Sequence, residues 1–180
     1  MAKTKRGVWS SRGAGRPRRR LWWSVTAVVI LAAAVVGWFA YQSAANLPGT
    51  LVAGQGNAHI PTPSHPHPPY NSDPPTSGSH VPWLAPWGIH TVPVPKEVQV
   101  HNLEDGGVMV QYNCDCPEIQ AKLRAIVERY PAQVILAPYP GMDRRIALTA
   151  WARIDKFDEL DEARIVRFIK AYRGIDHHAR

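Results

Sequence analysis

Residues 106–130 read GGVMVQYNCDCPEIQAKLRAIVERY, and the fold turns on the change of period inside this stretch. Gly106-Gly107 sets a turn. Val108, Val110 and Tyr112 alternate with Met109 and Gln111, which predicts a strand with one apolar face. Asn113-Cys114-Asp115-Cys116 then leads into Pro117. Proline after a polar cap starts a helix well, because the first helical N–H has no partner to lose. Ile119, Leu123, Ile126, Val127 and Tyr130 fall at i, i+4, i+7, i+8 and i+11, a single-faced helix that Pro131 ends.

Outward from this unit the pattern repeats. Gln133 to Ala137 reads as a strand, and Ile146 to Arg153 as another. The turn formers of Pro138-Tyr139-Pro140-Gly141-Met142-Asp143 lie between them. Asp158 to Asp161 is an acidic helix start, favourable against the helix dipole. Ile165, Val166, Ile169 and Tyr172 form the apolar stripe of a last helix, with Gly174 placed to cap it. Upstream, Val98 to His101 reads as a short strand. The predicted fold class is therefore α+β, with about four strands and two helices in the order β-β-α-β-β-α. A small sheet with both helices on one face is the natural architecture.

Four segments follow from composition. Residues 1–20 form a basic head containing Lys3, Lys5, Arg6, Arg12, Arg16, Arg18, Arg19 and Arg20 and no acid. Residues 21–42 form a transmembrane helix, since Leu21 to Tyr41 is an uncharged run of 21 residues. Residues 43–69 form a proline- and histidine-rich extracytoplasmic linker, with Leu51 to Pro69 an extended mobile spacer. Residues 70–180 form the α+β domain, of ordinary size. From Asn46 to Pro95 the chain holds 12 of its 17 prolines, which excludes regular helix or central strand there.

The basic head predicts a single pass with the N-terminus cytoplasmic and the domain outside the plasma membrane. Trp22, Trp23, Trp38 and Tyr41 mark the two interfaces. The other reading is a cleaved signal peptide and a secreted domain, with Ser43-Ala44-Ala45 as the cleavage site. The apolar run is longer than a signal-peptide core, which favours the retained anchor. The net charge of +7 has the same explanation: the head holds eight of 21 basic residues and none of the 14 acidic ones. From Leu21 onward 13 basic residues face 14 acidic ones, so a nucleic-acid partner is not expected. The head is suited to anionic lipid.

Two stretches carry a resemblance to a known family. Residues 70–80 read YNSDPPTSGSH and residues 100–108 read VHNLEDGGV. Together they resemble the signature of the bacterial family known as domain of unknown function 3105, over Tyr70 to about Gly174. The resemblance implies a membrane-anchored or secreted location, and no reaction. One departure is visible. The family pattern reads His-Asn-Leu-Glu-His-Gly-Gly, and this chain has Asp105 at the second histidine. A role for that histidine is here met by a carboxylate, or lost.

Six residues are the candidate metal ligands: His80, His101, Glu104, Asp105, Cys114 and Cys116. His90 is a further imidazole. Imidazole, thiolate and carboxylate in such mixtures suit a first-row transition metal such as copper or zinc. The alternative is that His80 and His101 bond to backbone in an irregular loop. His101-Asn102-Leu103-Glu104-Asp105 is not a metalloprotease motif, because it abuts Gly106-Gly107 and lacks the final histidine. Cys114 and Cys116 are the chain's two cysteines. Outside the membrane they can form a disulfide, in a ring small enough to be strained. His59, His65 and His67 fall in the spacer, and His177-His178 at a frayed end.

The expected function is a tethered module that binds an envelope partner protein or a transition metal without turnover. The alternative is a thiol-redox or metal-dependent enzyme centred on Cys114, Cys116, His101 and Glu104. No complete catalytic constellation is legible, and the sequence leaves enzyme status open.

Overall fold

The computed structural model describes residues 17–178. The basic head lies outside the described residues as far as position 16. The chain divides into two compact units, residues 1–47 and 48–180. In the first, α1 (Pro17–Ala45) is one unbroken helix. Its apolar window Trp22–Phe39 is 18 residues long and exposed throughout. At 1.5 Å per residue that covers about 27 Å, close to the hydrocarbon thickness of a bilayer. It is long and apolar enough to serve as a membrane anchor or a signal sequence.

The second unit is α+β. Its elements are β1 (Thr50–Leu51), β2 (Gly88–Ile89), α2 (Lys96–Glu104), β3 (Val108–Tyr112), α3 (Pro117–Val127), β4 (Val134–Pro138), β5 (Ile146–Ala150), β6 (Arg153–Phe157) and α4 (Glu162–Tyr172). The strands form one mixed sheet of six, ordered β1-β6-β5-β3-β4-β2. β3 pairs parallel with β4, and β4 with β2; the other pairs are antiparallel.

Strand alternation sorts side chains onto two faces. Val108, Val110, Val134, Leu136, Ile146 and Leu148 meet Leu123 and Ile126 of α3 and Ile165, Phe168 and Ile169 of α4 in one core. The expectation that these two helices share a face holds. Each such buried side chain contributes about 2 kcal/mol. Met109, Ile135 and Ala137 turn to the opposite face, where Val98 and Leu103 of α2 and Ile60, Val81, Ala85 and Val94 of the irregular segments cover them. Gln111 also faces α2, donating to Gln99 Oε1 at 2.8 Å.

Three expectations need correction. Val98 to His101 is not a strand; it lies inside α2. Val98 to Glu104 is buried without a gap, and a helix buried all round shows no 3.6-residue stripe to read. Residues 146–153 are not one strand but the hairpin β5–β6, turned at Trp151-Ala152. The turn has no glycine or asparagine to announce it. Ala152 takes φ +55° there, held as its N–H donates to Thr76 O at 2.9 Å and its carbonyl accepts from Val52 N at 2.9 Å. Finally, residues 48–69 are part of the compact unit: β1 pairs with β6, and Ile60 enters the second core.

The loop 70–80 is pinned by its own polar groups. The Tyr70 hydroxyl donates to Ser79 O, Gln55 N donates to Ser77 Oγ at 3.1 Å, and Lys96 Nζ donates to Asp73 Oδ1 at 2.7 Å. The Tyr139 hydroxyl also donates to Asp73 Oδ1. Burial alone would raise the Asp73 carboxyl. Hydrogen bonds from Lys96 and Tyr139, with the Lys96 and Lys156 charges, outweigh it and hold the group below its ordinary range. A carboxylate lowered in this way stabilises the fold above its unfolded value, about pH 4, and the contribution is lost as pH falls through the folded value. Asp73→Asn is therefore expected to lower the melting temperature at pH 7, and the gap to wild type should close below about pH 4. The pair is half-exposed, so the gap will be small. A gap that persists unchanged to pH 2 would show that the charge is not what the substitution removes.

Candidate metal centre

Three chain segments converge on one carboxylate. The first is 56–60, which runs parallel to 78–80. Gly78 N donates to Gly56 O at 3.0 Å, His80 N to Ala58 O at 3.0 Å, and Ile60 N to His80 O at 2.8 Å. This ladder sets His59 beside His80. The third segment is α2, where His101 and Glu104 are i,i+3 neighbours on one face.

The Glu104 side chain is 1% exposed, and its two oxygens have different partners. Oε1 accepts from Asn57 Nδ2 at 2.8 Å. Oε2 faces imidazoles: His80 Nε2 at 2.8 Å, His59 Nε2 at 3.8 Å and His101 Nδ1 at 3.8 Å. The donor atoms of His59, His80, His101 and Glu104 all lie within 4.8 Å of one another. Donors held about 2.1 Å from one ion at angles of about 85–130° lie about 2.8–3.8 Å apart, which matches the distances around Oε2.

The hydrogen bonding of the rings fits the same purpose. His80 Nδ1 lies 2.7 Å from Gly78 O, which can only accept, so Nδ1 carries a proton. In the neutral ring Nε2 is then a lone pair aimed at a carboxylate oxygen. A backbone carbonyl fixing the far nitrogen is the usual support of a metal-binding imidazole. His101 Nδ1 is one of three buried side-chain polar atoms without a hydrogen-bond partner among the described residues, with Gln111 Oε1 and Thr149 Oγ1. Burial, with the nearby His80 and His59, lowers the His101 pKa against the opposing pull of Asp105 and Glu104, which favours the neutral form that ligates.

The six sequence candidates divide. His80, His101 and Glu104 come together. Asp105 stands at the rim, half-buried, with Oδ1 3.4 Å from His178 Nδ1. Cys114 and Cys116 are joined by a disulfide and lie at the entrance to α3, beyond the far end of β3 from α2. The five residues of β3 separate them from Glu104 by about 16 Å of extended chain. His90 is engaged elsewhere, with Nε2 2.7 Å from Pro86 O. Sequence reasoning missed two residues. His59 was assigned to a spacer, and only the ladder with 78–80 brings it in. His178 was assigned to a frayed end, yet its Nε2 lies 3.4 Å from Glu104 Oε2.

The sequence model of a family described as "Protein of unknown function (DUF3105)" matches residues 65–179. His80, His101, Glu104 and His178 fall inside the match and His59 outside it. No curated protein matches the chain. No solved structure matches it either.

Proposed function

The chain belongs to the DUF3105 family, and from the geometry of its buried cluster we propose that it is a metal-binding module of the cell envelope, holding copper or zinc through His59, His80, His101 and Glu104. The carrying observation is the contact between His80 Nε2 and Glu104 Oε2, 2.8 Å apart in a buried site, which sets two lone pairs against each other when the ring is neutral. A shared cation removes their repulsion. A protonated His80 would do so too, as a buried ion pair. That pairing leaves His101 Nδ1 unsatisfied and gives no reason for further imidazoles on the same oxygen. A centre whose donors are all protein side chains suits holding an ion rather than turning over a substrate. The N-terminal helix, in this reading, is a retained anchor with the domain outside the membrane, because basic residues precede it.

The test is elemental analysis of the untagged full-length chain in detergent, after reconstitution with Cu(II) or Zn(II). One ion per chain is expected. Ser at both Cys114 and Cys116 should leave that stoichiometry unchanged, since the disulfide lies apart from the cluster. Loss of metal in the double serine variant would instead support a centre that includes the thiols. No metal in the wild type would sink the reading.

A further inference from the structure

The segment after α4 does not fray. It forms a strap across the end of α2. Gly174 N donates to Gly106 O at 2.8 Å, and His177 N donates to Glu104 O at 2.8 Å. The His177 ring stacks on Trp151, with centroids 5.8 Å apart and planes 19° from parallel. The sequence is cut to receive the strap. A Cβ on Gly106 would stand 2.8 Å from Ile175 N and 2.9 Å from Gly174 C, and Gly106 has φ +76°. Any other residue there would push the strap away.

The strap delivers one side chain to the cluster. His178 Nδ1 lies 2.8 Å from Asp176 Oδ1 and 3.4 Å from Asp105 Oδ1, so it is the protonated nitrogen. Nε2 then faces Glu104 Oε2 at 3.4 Å, and the ring sits 6.1 Å from that of His101. A carboxylate on one nitrogen and the ion on the other is the arrangement that orients a metal-binding histidine. That one distance, Nε2 to Glu104 Oε2, falls within the about 2.8–3.8 Å expected between two ligands of one ion. His178 stands outside the set of four whose donor atoms lie within 4.8 Å of one another, so the strap must close inward by a small movement to ligate.

We propose that His178 is a further ligand of the metal, so that the centre holds four imidazoles and one carboxylate and selects Cu(II) over Zn(II). This rests on the metal reading above. Five donors exceed what four-coordinate structural zinc uses. Tetragonal nitrogen and oxygen sets favour Cu(II) instead. His59 and His178 are the two exposed members of the set, with side chains 46% and 43% accessible, and so mark the side on which the cluster faces solvent. Lifting the strap opens that side.

The experiment compares the full-length chain with His178→Gln and Asp176→Asn, using Cu(II) and Zn(II) as probes. Copper affinity is measured by competition with a chelator, and ligation by electron paramagnetic resonance. His178→Gln should lose one coordinated nitrogen and weaken Cu(II) by at least about 10-fold, with a smaller effect on Zn(II). Asp176→Asn should keep the nitrogen count and weaken Cu(II) about 10-fold, as loss of an outer-shell partner does. If His178→Gln binds Cu(II) with unchanged affinity and spectrum, the strap is not a ligand, although the four-residue centre stands. An equal loss for both metals overturns the selectivity. If the wild type binds neither ion, both readings fail together.

Discussion

Glu104→Gln is expected to abolish stoichiometric binding of Cu(II) and Zn(II), with a loss beyond the about 10- to 100-fold that outer-shell changes cause. The reason lies in the two oxygens. Asn57 Nδ2 donates to Oε1, so a glutamine must turn its carbonyl oxygen to Asn57 and its NH2 to the imidazoles. The acceptor shared by the rings becomes a donor, and it can no longer ligate. The same swap separates the metal reading from its rival. If His80 is neutral in the metal-free protein, the new NH2 donates to its Nε2 and the variant is about as stable as wild type. If His80 and Glu104 form a buried ion pair, removing one charge strands the other and costs about 3–5 kcal/mol. Urea unfolding of both metal-free chains in detergent therefore decides what holds the cluster together. A strongly destabilised variant, with no metal in the wild type, would establish the ion pair.

Gly107→Ala is expected to have the largest effect on stability, about 3 kcal/mol or more. The added Cβ would lie 2.4 Å from Asn102 O and 2.8 Å from the Trp87 ring. The Asn102 carbonyl cannot retreat. Asn102 O accepts from Gly107 N at 2.8 Å, which closes the end of α2. Asn102 itself is clamped, with Oδ1 accepting from Ala85 N at 2.9 Å and Nδ2 donating to Ala85 O at 2.9 Å. The shift must pass into α2, which carries His101 and Glu104. Metal affinity should fall along with the unfolding midpoint. An alanine variant with wild-type stability would mean that Trp87 and α2 yield more easily than their packing implies.

The legible parts of the fold were those with a regular period. β3, α3 and α4 follow the pattern of their apolar residues, and Pro117 and Gly174 fall at the helix ends where their backbone chemistry belongs. Asp161 caps α4 by accepting from Arg164 N at 2.9 Å. What misled was burial without a period. α2 is covered on every side, so Val98 to His101, read as a short strand, carried no helical stripe to correct the reading. Three of the four clustered donors were named from chemistry alone: His80, His101 and Glu104. His59 was not, because proline density around it signals an open chain, and local spacing says nothing of a pairing with 78–80. Asp105 and the cysteines were grouped with the donors by proximity in sequence, but β3 carries the cysteines to the other end of the sheet.

The donors around Glu104 come from places far apart in the chain: His59 before the first core segment, His80 in the polar loop, His101 and Glu104 in α2, and His178 after the last helix. No fragment holds the full set. An ion bound here would act as a tie between the beginning and the end of the domain, binding the folded state and not the unfolded one. Stability would then rise with free metal by mass action, by about 2.7 kcal/mol at a hundredfold excess over the dissociation constant. A chain nicked or truncated at either end would lose ion and fold support together, so metal occupancy would report whether the domain is whole.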